Sequence, residues 1–371
     1  AISLERMRSI EHLDADAGVM RVQAGAIVQS VQDAAKDAGW LFGVDWGARG
    51  SANIGGMVAT NAGGNSVVRY GMARENILGL EAVLADGTVI SSMNEMLKNN
   101  AGYDLKQLFI GTEGTLGIVT RAVLRLRPLP TVVNTALLAV NSYDQVIQLL
   151  RHFGRVFEGK LSAFEVMWNN HYSYLTDVLG KHQPMLPTTF PYYIIIEVEG
   201  ADEQRENEHF MGVLADQMEA ETIADAVICQ SSQQVAQIWE LRDDVETLGR
   251  EMFPSVVYDI SLPLRDMEAY VDNVLKDASE TTPNTRVLSF GHLGDGNIHF
   301  VAGPVEDEHA LANIVYNNLV KYGGSISAEH GIGLDKKDYL ACSRSEAEIA
   351  LMKSIKQALD PKNLLNRGKI F

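Results

Sequence analysis

The sequence predicts an α+β protein in which a glycine-rich N-terminal domain precedes a domain with a largely antiparallel sheet flanked by helices. Strand-like and helix-like segments alternate between residues 132 and 302. A Gly-Asp-Gly-Asn turn at residues 294–297 joins two of these strands as a local hairpin, because glycine and asparagine tolerate positive φ. Local hairpins among strands that are separated by helices are typical of the α+β class.

Composition places the chain among ordinary globular proteins of two domains or one large domain. It has 371 residues, of which 46% are hydrophobic and 21% are charged. A net charge of −17 argues against nucleic acid and anionic membrane surfaces as partners. No apolar run reaches membrane-spanning length. The two cysteines, Cys229 and Cys342, exclude a disulfide framework and favour a reducing compartment.

The N-terminal domain begins with a strand over residues 19–24 and a helix over residues 27–38, for which Gly39 is a natural stop. The pattern of residues 77–90 then predicts a strand, an Asp-Gly turn and a second strand. A further strand over residues 118–126 ends before two prolines, where we place a domain boundary.

Two glycine-rich stretches, residues 46–71 and 111–117, interrupt this pattern. Glycine at such density suits backbone that approaches a ligand closely, and the amide groups of such loops suit an anionic or heteroaromatic ligand. A flexible loop is the plain alternative. Apolar residues among the glycines, such as Ile54, Met57 and Val58, favour a packed segment instead.

The second domain is predicted from alternating segments. Strands are expected at residues 134–140, 161–168, 192–198, 224–228 and 256–261. Helices are expected at residues 143–153, 203–218, 233–248, 264–275 and 308–322, and a final helix at 345–359.

Histidines around the hairpin turn give the clearest chemical signal. A tight turn between His292 and His299 lets both rings converge at its mouth, and Glu329-His330 follows about thirty residues later. Two imidazoles and a carboxylate form a ligand set for zinc, manganese or iron with open positions. His330 would then be a candidate proton acceptor. Packed or hydrogen-bonded core histidines are the plain alternative.

Taken together, these segments resemble the FAD-linked oxidases of the vanillyl-alcohol oxidase type, and within them the D-2-hydroxyglutarate and D-lactate dehydrogenase branch. The resemblance covers nearly the whole chain. It rests on residues 54–64, 102–117, 161–165, 291–299 and 329–333.

The resemblance implies a two-part FAD-binding domain, a cap domain with an antiparallel sheet, and a C-terminal segment that returns to the flavin. We therefore expect these at residues 1–130, 131–323 and 324–371, with the first FAD subdomain and its pyrophosphate loop preceding residue 1.

Site residues are carried over from the resemblance position by position. The FAD-binding set is Gly47, Ser51, Gly55, Gly56, Thr60, Asn61, Gly64, Glu113, Gly117, Ile118 and Asn366. The metal ligands, commonly of zinc, are His292, His299 and Glu329. The substrate-contacting residues are Arg242, Asn297 and His330, of which His330 matches the proton acceptor.

The expected reaction is the metal-assisted oxidation of a D-2-hydroxy acid, with hydride transfer to flavin N5. Glu246 and Val257 stand where the hydroxyglutarate enzymes have a threonine and a lysine. Because no cation remains there for a distal carboxylate, we expect a short acid such as D-lactate or D-malate to be preferred over D-2-hydroxyglutarate.

Alternatives stay open at this point: a glycolate-oxidase-type flavoprotein subunit, a metal-dependent hydrolase, or a binding-only relic. The expected partners are a 2-hydroxy acid and an external electron acceptor, which could be an electron-transfer flavoprotein, a quinone or a cytochrome. A homodimer is left open. The expected location is the cytoplasm, or the mitochondrial matrix in a eukaryote.

Overall fold

The structure is a computed structural model that describes residues 2–371. It consists of two compact units, the first formed by residues up to 129 together with residues 329–371, and the second by residues 130–328. Residues 324–328, which we assigned from the sequence to the C-terminal segment, lie in the second unit. Ser325 and Ser261 exchange two backbone hydrogen bonds of 2.7 and 3.1 Å, which tie this stretch to the second sheet.

The first unit is built on a five-stranded antiparallel sheet and a two-stranded ribbon. Its strands are β1 (Ile10–Asp14), β2 (Val19–Gln23), β3 (Trp40–Leu41), β4 (Ile77–Val83), β5 (Val89–Ser92), β6 (Ile118–Arg125) and β7 (Arg127–Pro128). The sheet order is β1-β2-β6-β4-β5, and β3 pairs with β7. The predicted strands β2, β4, β5 and β6 are confirmed, whereas the exposed strand β1 was missed.

Helices of the first unit lie between its strands along the chain, and the one over residues 54–60 packs against β2 and β6. They are α1 (Val28–Asp37), α2 (Ile54–Thr60), α3 (Val67–Tyr70) and α4 (Ala73–Asn76). Helix α1 ends as predicted, since Gly39 follows it with φ of 79°. In α2, Ile54, Met57 and Val58 are buried in the core of the unit. The glycine-rich stretch is therefore a packed segment, as its apolar residues predicted.

The second unit contains a seven-stranded antiparallel sheet in the order β11-β8-β10-β9-β13-β14-β12. Its strands are β8 (Val132–Val140), β9 (Leu161–Trp168), β10 (Tyr192–Gly200), β11 (Asp225–Ile228), β12 (Val256–Ser261), β13 (Arg286–His292) and β14 (Asn297–Gly303). All eight residues of β9 are buried. The predicted antiparallel sheet is confirmed.

Helices of the second unit are α5 (Tyr143–Val156), α6 (Asn169–Ser173), α7 (Glu203–Glu219), α8 (Ser232–Asp243), α9 (Val245–Glu251), α10 (Met267–Thr281) and α11 (Glu308–Val320). The single helix predicted over residues 233–248 is wrong, because the chain breaks at Asp244, which has ψ of 48°. The Asp244 carboxylate instead accepts a hydrogen bond from the Thr247 amide and begins α9. An aspartate at this position competes with helix continuation through its own side chain.

The C-terminal segment returns to the first unit with one helix, α12 (Glu346–Leu359), which begins with a capping box of Ser345 and Glu348. A terminal loop follows it, as predicted from Asp360-Pro361. Across residues 2–371, no helix combines the length and the apolar character that crossing a membrane requires.

Candidate active site

The hairpin of β13 and β14 brings two histidines together in the second unit. The His292 and His299 rings lie 5.2 Å apart, edge to face, and their ligand atoms are within 4.8 Å of one another. Gly296 makes the turn with φ of 82°. Gly291 is required for close approach, since a Cβ there would lie 2.4 Å from the Asn297 carbonyl oxygen. The predicted convergence of the two rings is confirmed by this geometry.

A buried carboxylate that we did not single out from the sequence joins this pair. Glu165 on β9 lies opposite His292 on β13 in the strand register. Its Oε1 is 2.8 Å from the His292 Nδ1, and its Oε2 is 2.6 Å from an Arg242 terminal nitrogen. Burial would raise the pKa of Glu165, but attraction to His292 and Arg242 outweighs burial and holds that pKa below its usual range.

Arg242 lies in the last turn of α8 and is buried, at 5% exposure. Besides Glu165, the guanidinium pairs with Asp243 at 2.9 Å and lies over the Phe290 ring at 4.9 Å. Burial lowers the pKa of Arg242, yet Glu165 and Asp243 raise it more, so the group stays charged. Arg242 is therefore held by acids of the same unit as well as being a candidate for substrate binding.

A second acid, Asp259, supports the other side of the hairpin. Its Oδ1 accepts a hydrogen bond of 3.0 Å from the Asn297 amide and lies 4.0 Å from the His299 Nδ1. The Asn297 amide also donates to the Ile260 carbonyl at 2.8 Å. The Asn297 Oδ1 has no hydrogen-bond partner within residues 2–371. Each histidine of the pair thus has a buried carboxylate beside it, and the Asn297 Oδ1 is an acceptor that no described residue uses.

His171 is a further buried histidine that the sequence analysis missed. Its ring packs against Phe290 at 4.4 Å, and Phe290 in turn packs against His299 at 5.3 Å. Among the described residues, neither nitrogen of His171 has a hydrogen-bond partner. Burial, followed by repulsion from Arg242, lowers the pKa of His171 to about 3. The ring is therefore neutral and supports Phe290 from behind.

In the first unit, the glycine-rich segment lines a pocket of about 420 Å³. Its lining residues are Trp46, Ser51, Ala52, Asn53, Gly56, Met57, Thr60, Ala62, Gly63, Gly64, Glu329 and His330. The pocket therefore brings together two motifs that are more than 250 residues apart in the sequence. Four predicted FAD-binding residues, together with Glu329 and His330, belong to this wall.

Carboxylates fix the loop that carries His330. Glu329 accepts a hydrogen bond of 2.8 Å from the Gly64 amide. Glu113, which has φ of 51°, accepts from the Ile332 and Gly333 amides at 2.6 and 2.8 Å. The carboxylate of Glu113, a predicted flavin-binding residue, thus holds the loop of residues 329–333 against the second glycine-rich loop.

The C-terminal tail is attached to the same loop. The Asn366 amide donates to the Glu113 carbonyl. Buried Lys356 donates to Asp360 at 2.5 Å and to the Thr115 and Leu365 carbonyls at 2.8 Å each. Asn366 and Glu113, both expected near the flavin, are thereby brought together by the described contacts.

The remaining predicted FAD-binding residues have structural contacts of their own. Gly55 packs against Ala24, and Gly117 packs against the Phe109 ring. Asn61 ends α2 in the left-handed conformation, and its Oδ1 accepts from the Arg74 amide at 2.9 Å. Gly47 begins a 3-10 turn, and Ile118 is the first residue of β6. None of these five is in the wall of the pocket described above.

Two family matches cover most of the chain. Residues 129–370 match the C-terminal domain of the FAD linked oxidases, and residues 1–92 match an FAD binding domain. The chain belongs to the FAD-linked oxidase family. It is therefore an FAD-dependent oxidoreductase, and the resemblance predicted from its motifs is confirmed.

Relatives of this FAD-linked oxidase carry dehydrogenase names. It is 39% identical over its full length to the D-2-hydroxyglutarate dehydrogenase of Xanthomonas citri pv. viticola, of which it spans 79%. It is 36% identical over 99% of its length to the mitochondrial D-2-hydroxyglutarate dehydrogenase of Danio rerio, of which it spans 69%. It is 38% identical over its full length to the probable mitochondrial D-2-hydroxyglutarate dehydrogenase of Oryza sativa subsp. indica, of which it spans 66%.

Solved structures show the same fold. A structure of alkyldihydroxyacetonephosphate synthase matches 98% of this FAD-linked oxidase with a TM-score of 0.71 at 17% identity, and 66% of that chain is covered. At this identity the likeness shows the fold alone, since one fold carries several chemistries. The side chains of the site decide the reaction.

Proposed function

We propose that this chain is part of an FAD-dependent dehydrogenase that oxidises a short D-2-hydroxy acid to the 2-oxo acid with the help of a divalent metal. The observation that carries the proposal is the buried pair of His292 and His299, each beside a carboxylate of the same sheet. Bound FAD supplies a two-electron acceptor, and a bound divalent metal supplies a Lewis acid for the 2-hydroxyl group.

The donor set fits a divalent metal. An ionised carboxylate only accepts hydrogen bonds, so the proton of His292 lies on the Nδ1 that faces Glu165. Its Nε2 lone pair is then directed away from Glu165, which is the usual arrangement for a metal-binding imidazole with a carboxylate behind it. His299 supplies the second imidazole, and Glu329 is the third ligand in the proposal. Zinc is the metal of first choice, with manganese or iron also compatible.

Three residues contact the substrate in this proposal: His330, Arg242 and Asn297. His330 accepts the hydroxyl proton, and Arg242 binds the carboxylate of the acid through its charge. The Arg242 Nε is buried without a hydrogen-bond partner among the described residues, which leaves it available for that carboxylate. The unused Asn297 Oδ1 accepts a hydrogen bond from the substrate.

The flavin belongs, in this proposal, to the pocket of the first unit. More than half of its lining residues are glycine, alanine, serine or threonine. Such small side chains allow a flat heteroaromatic ring to approach the backbone closely. Ser51, Gly56, Thr60 and Gly64 would hold the cofactor there, and Asn366 is a further residue of the proposed FAD-binding set. Gly47, Gly55, Asn61, Glu113, Gly117 and Ile118 complete the proposed FAD-binding set.

Substrate length follows from Val257. The side chains of residues 257 and 259 point to the same face of β12, about 7 Å apart, because strand residues alternate. A cation at residue 257 would thus lie on the face of Asp259, but valine stands there. Glu246 contributes less to this substrate preference. The break at Asp244 removes it from the helical turn after Arg242, and its side chain is exposed. We therefore propose D-lactate or D-malate rather than D-2-hydroxyglutarate.

Electrons then pass to an external acceptor, for which an electron-transfer flavoprotein, a quinone and a cytochrome remain the candidates. The hydrolase alternative lacks support, because the FAD binding domain match has no role in hydrolysis. A glycolate-oxidase-type subunit would use the same residues and differs only in substrate and assembly.

The test is His299→Ala in the full-length protein, with the exposed His12→Ala as a matched control. Elemental analysis and turnover of D-lactate with an artificial electron acceptor are measured for both variants. We expect His299→Ala to lose stoichiometric metal and at least 100-fold in turnover, and His12→Ala to keep both. A His299→Ala variant that retains its metal and its turnover would contradict the proposal.

A further inference from the structure

We propose that Glu165 is a positioning residue that fixes both a metal ligand, His292, and the substrate-binding residue, Arg242, a role that rests on the proposed function. One carboxylate does both because its two oxygens face different partners. Oε1 lies 2.8 Å from the His292 Nδ1, and Oε2 lies 2.6 Å from an Arg242 nitrogen. The residue has neither a metal-binding nor a substrate-binding position of its own.

The sheet gives Glu165 a fixed place. Strand β9 lies between β10 and β13, so Glu165 has backbone neighbours on both sides, Ile195 and His292. Its side chain is 1% exposed. A side chain held this way has few alternative rotamers, so the side chains that it contacts are also held in fixed positions.

For His292 the consequence is a fixed ring. The contact from Glu165 sets the tautomer of the imidazole, so that Nε2, which lies 3.3 Å from an Arg242 nitrogen, is the atom that would bind the metal. Without the carboxylate, the Nδ1 proton would lose its acceptor. The ring would then be free to rotate or to change tautomer.

For Arg242 the consequence is a fixed guanidinium. One terminal nitrogen pairs with Glu165, the other pairs with Asp243, and the guanidinium carbon lies 4.9 Å from the centre of the Phe290 ring. The nitrogen that pairs with Glu165 also lies 3.3 Å from both ring nitrogens of His292. The carboxylate therefore contacts both groups where they already touch each other, and it balances the Arg242 charge in a buried place.

Strand β10 offers a matched control. Glu197 is a second inward acid of the same sheet, and its carboxylate accepts from Trp239 at 2.9 Å and from Thr135 at 2.8 Å. The Glu197 carboxylate has no hydrogen bond or ion pair with His292 or Arg242 among the described contacts. Repulsion from Glu165 contributes to the raised pKa of Glu197, so the two acids are close enough to interact. A change at Glu197 therefore removes a neighbouring acid of the same sheet without removing a described contact of His292 or Arg242.

The experiment compares Glu165→Gln, Glu165→Asp and Glu197→Gln with wild type as full-length protein. Three readouts are measured: zinc affinity by competition with a chelator, kcat and KM for D-lactate, and the absorption spectrum of the cobalt-substituted protein. The glutamine keeps the volume of the side chain but cannot accept from both partners with a negative charge. The spectrum reports ligand geometry, which a loss of fold stability alone does not change.

We expect Glu165→Gln to lose 10- to 100-fold in zinc affinity, to raise KM at least tenfold, and to alter the cobalt spectrum. Glu165→Asp should recover part of each change, and Glu197→Gln should match wild type. If Glu165→Gln folds poorly, the aspartate variant carries the test by the same three readouts.

The two proposals fail in different ways. A wild type that binds zinc and turns over D-lactate, beside a Glu165→Gln variant with unchanged zinc affinity, KM and spectrum, would overturn the positioning role alone. A wild type that binds no zinc would overturn the metal part of the proposed function and this inference with it.

Discussion

The two units hold their candidate functional residues by opposite means. In the second unit, acids on strands contact other side chains: Glu165 pairs with His292 and Arg242, and Asp259 pairs with Asn297. In the first unit, acids on loops accept from backbone amides: Glu113 binds two and Glu329 binds one. On a sheet the strand ladder already fixes the backbone, so acids are available to orient side chains. Loops lack that ladder, and their acids supply the missing hydrogen bonds.

The acids of the two units also differ in burial and in the charge of their partners. In the sheet cluster, Glu165 is buried beside the buried Arg242 cation, so removing one of these two leaves an uncompensated charge. The loop acids are only partly buried, and water can replace part of what they bind. Substitutions in the two regions should therefore fail differently, the first through the chemistry of the site and the second through the order of a loop.

Glu113→Ala should have the largest effect among changes in the loop region. Two amides that now donate to a carboxylate lose their acceptor, and hydrogen bonds to charged groups contribute about 1.5–3 kcal/mol each when buried. With partial exposure we expect about 2 kcal/mol lower unfolding free energy and at least tenfold slower turnover, because the loop carries His330. Urea denaturation and steady-state rates measure both quantities.

A control for that change is available in the same unit. Glu95 forms a half-exposed ion pair with Arg21 at 2.6 Å, and such pairs contribute less than about 1 kcal/mol. Glu95→Ala should leave turnover unchanged. Equal losses in the two variants would show that Glu113 has no special role in holding residues 329–333.

Val257→Lys places a cation on the second sheet, where a new side chain should act on the substrate and not on the backbone. We expect wild type to prefer D-lactate or D-malate over D-2-hydroxyglutarate. The lysine should shift kcat/KM toward D-2-hydroxyglutarate by about tenfold, or about 1.4 kcal/mol. A wild type that already prefers D-2-hydroxyglutarate tenfold would contradict the substrate proposal but not the flavin chemistry.

A pH-dependent effect on stability is expected in the tail of the first unit. Burial would raise the pKa of Asp360, but hydrogen bonds from Lys356 and from the Leu364 and Leu365 amides outweigh it and lower that pKa from 3.8 to about 2. Because the folded-state pKa is the lower one, its stabilising contribution is present above pH 3.8 and is lost as pH falls toward 2.

Asp360→Asn should therefore be less stable than wild type at neutral pH, and the difference should shrink between pH 4 and pH 2. Thermal denaturation across this range measures it. A difference that stays constant with pH would mean that the ion pair with Lys356 does not set the stability of the tail.

Hairpin chemistry and strand periodicity made much of the fold predictable. The Gly-Asp-Gly-Asn turn predicted that His292 and His299 converge, because turn residues act over a few positions. The break at Asp244 was not predictable from periodicity, since apolar spacing continues through it while the side chain caps a new helix. Strand β1 was missed because its residues are mostly exposed and carry little apolar alternation.

The family, the antiparallel sheet of the second unit, the packed glycine-rich segment and the two converging histidines of the hairpin were all predictable from the sequence. These follow from local patterns and from motifs read in order along the chain. Tertiary structure alone decided that Glu165 stands beside His292 and Arg242, and that Glu113 holds the loop of His330. Those contacts join residues separated by 127, 77 and about 219 positions, and strand register and loop packing, which set such pairings, leave no local signal in the sequence.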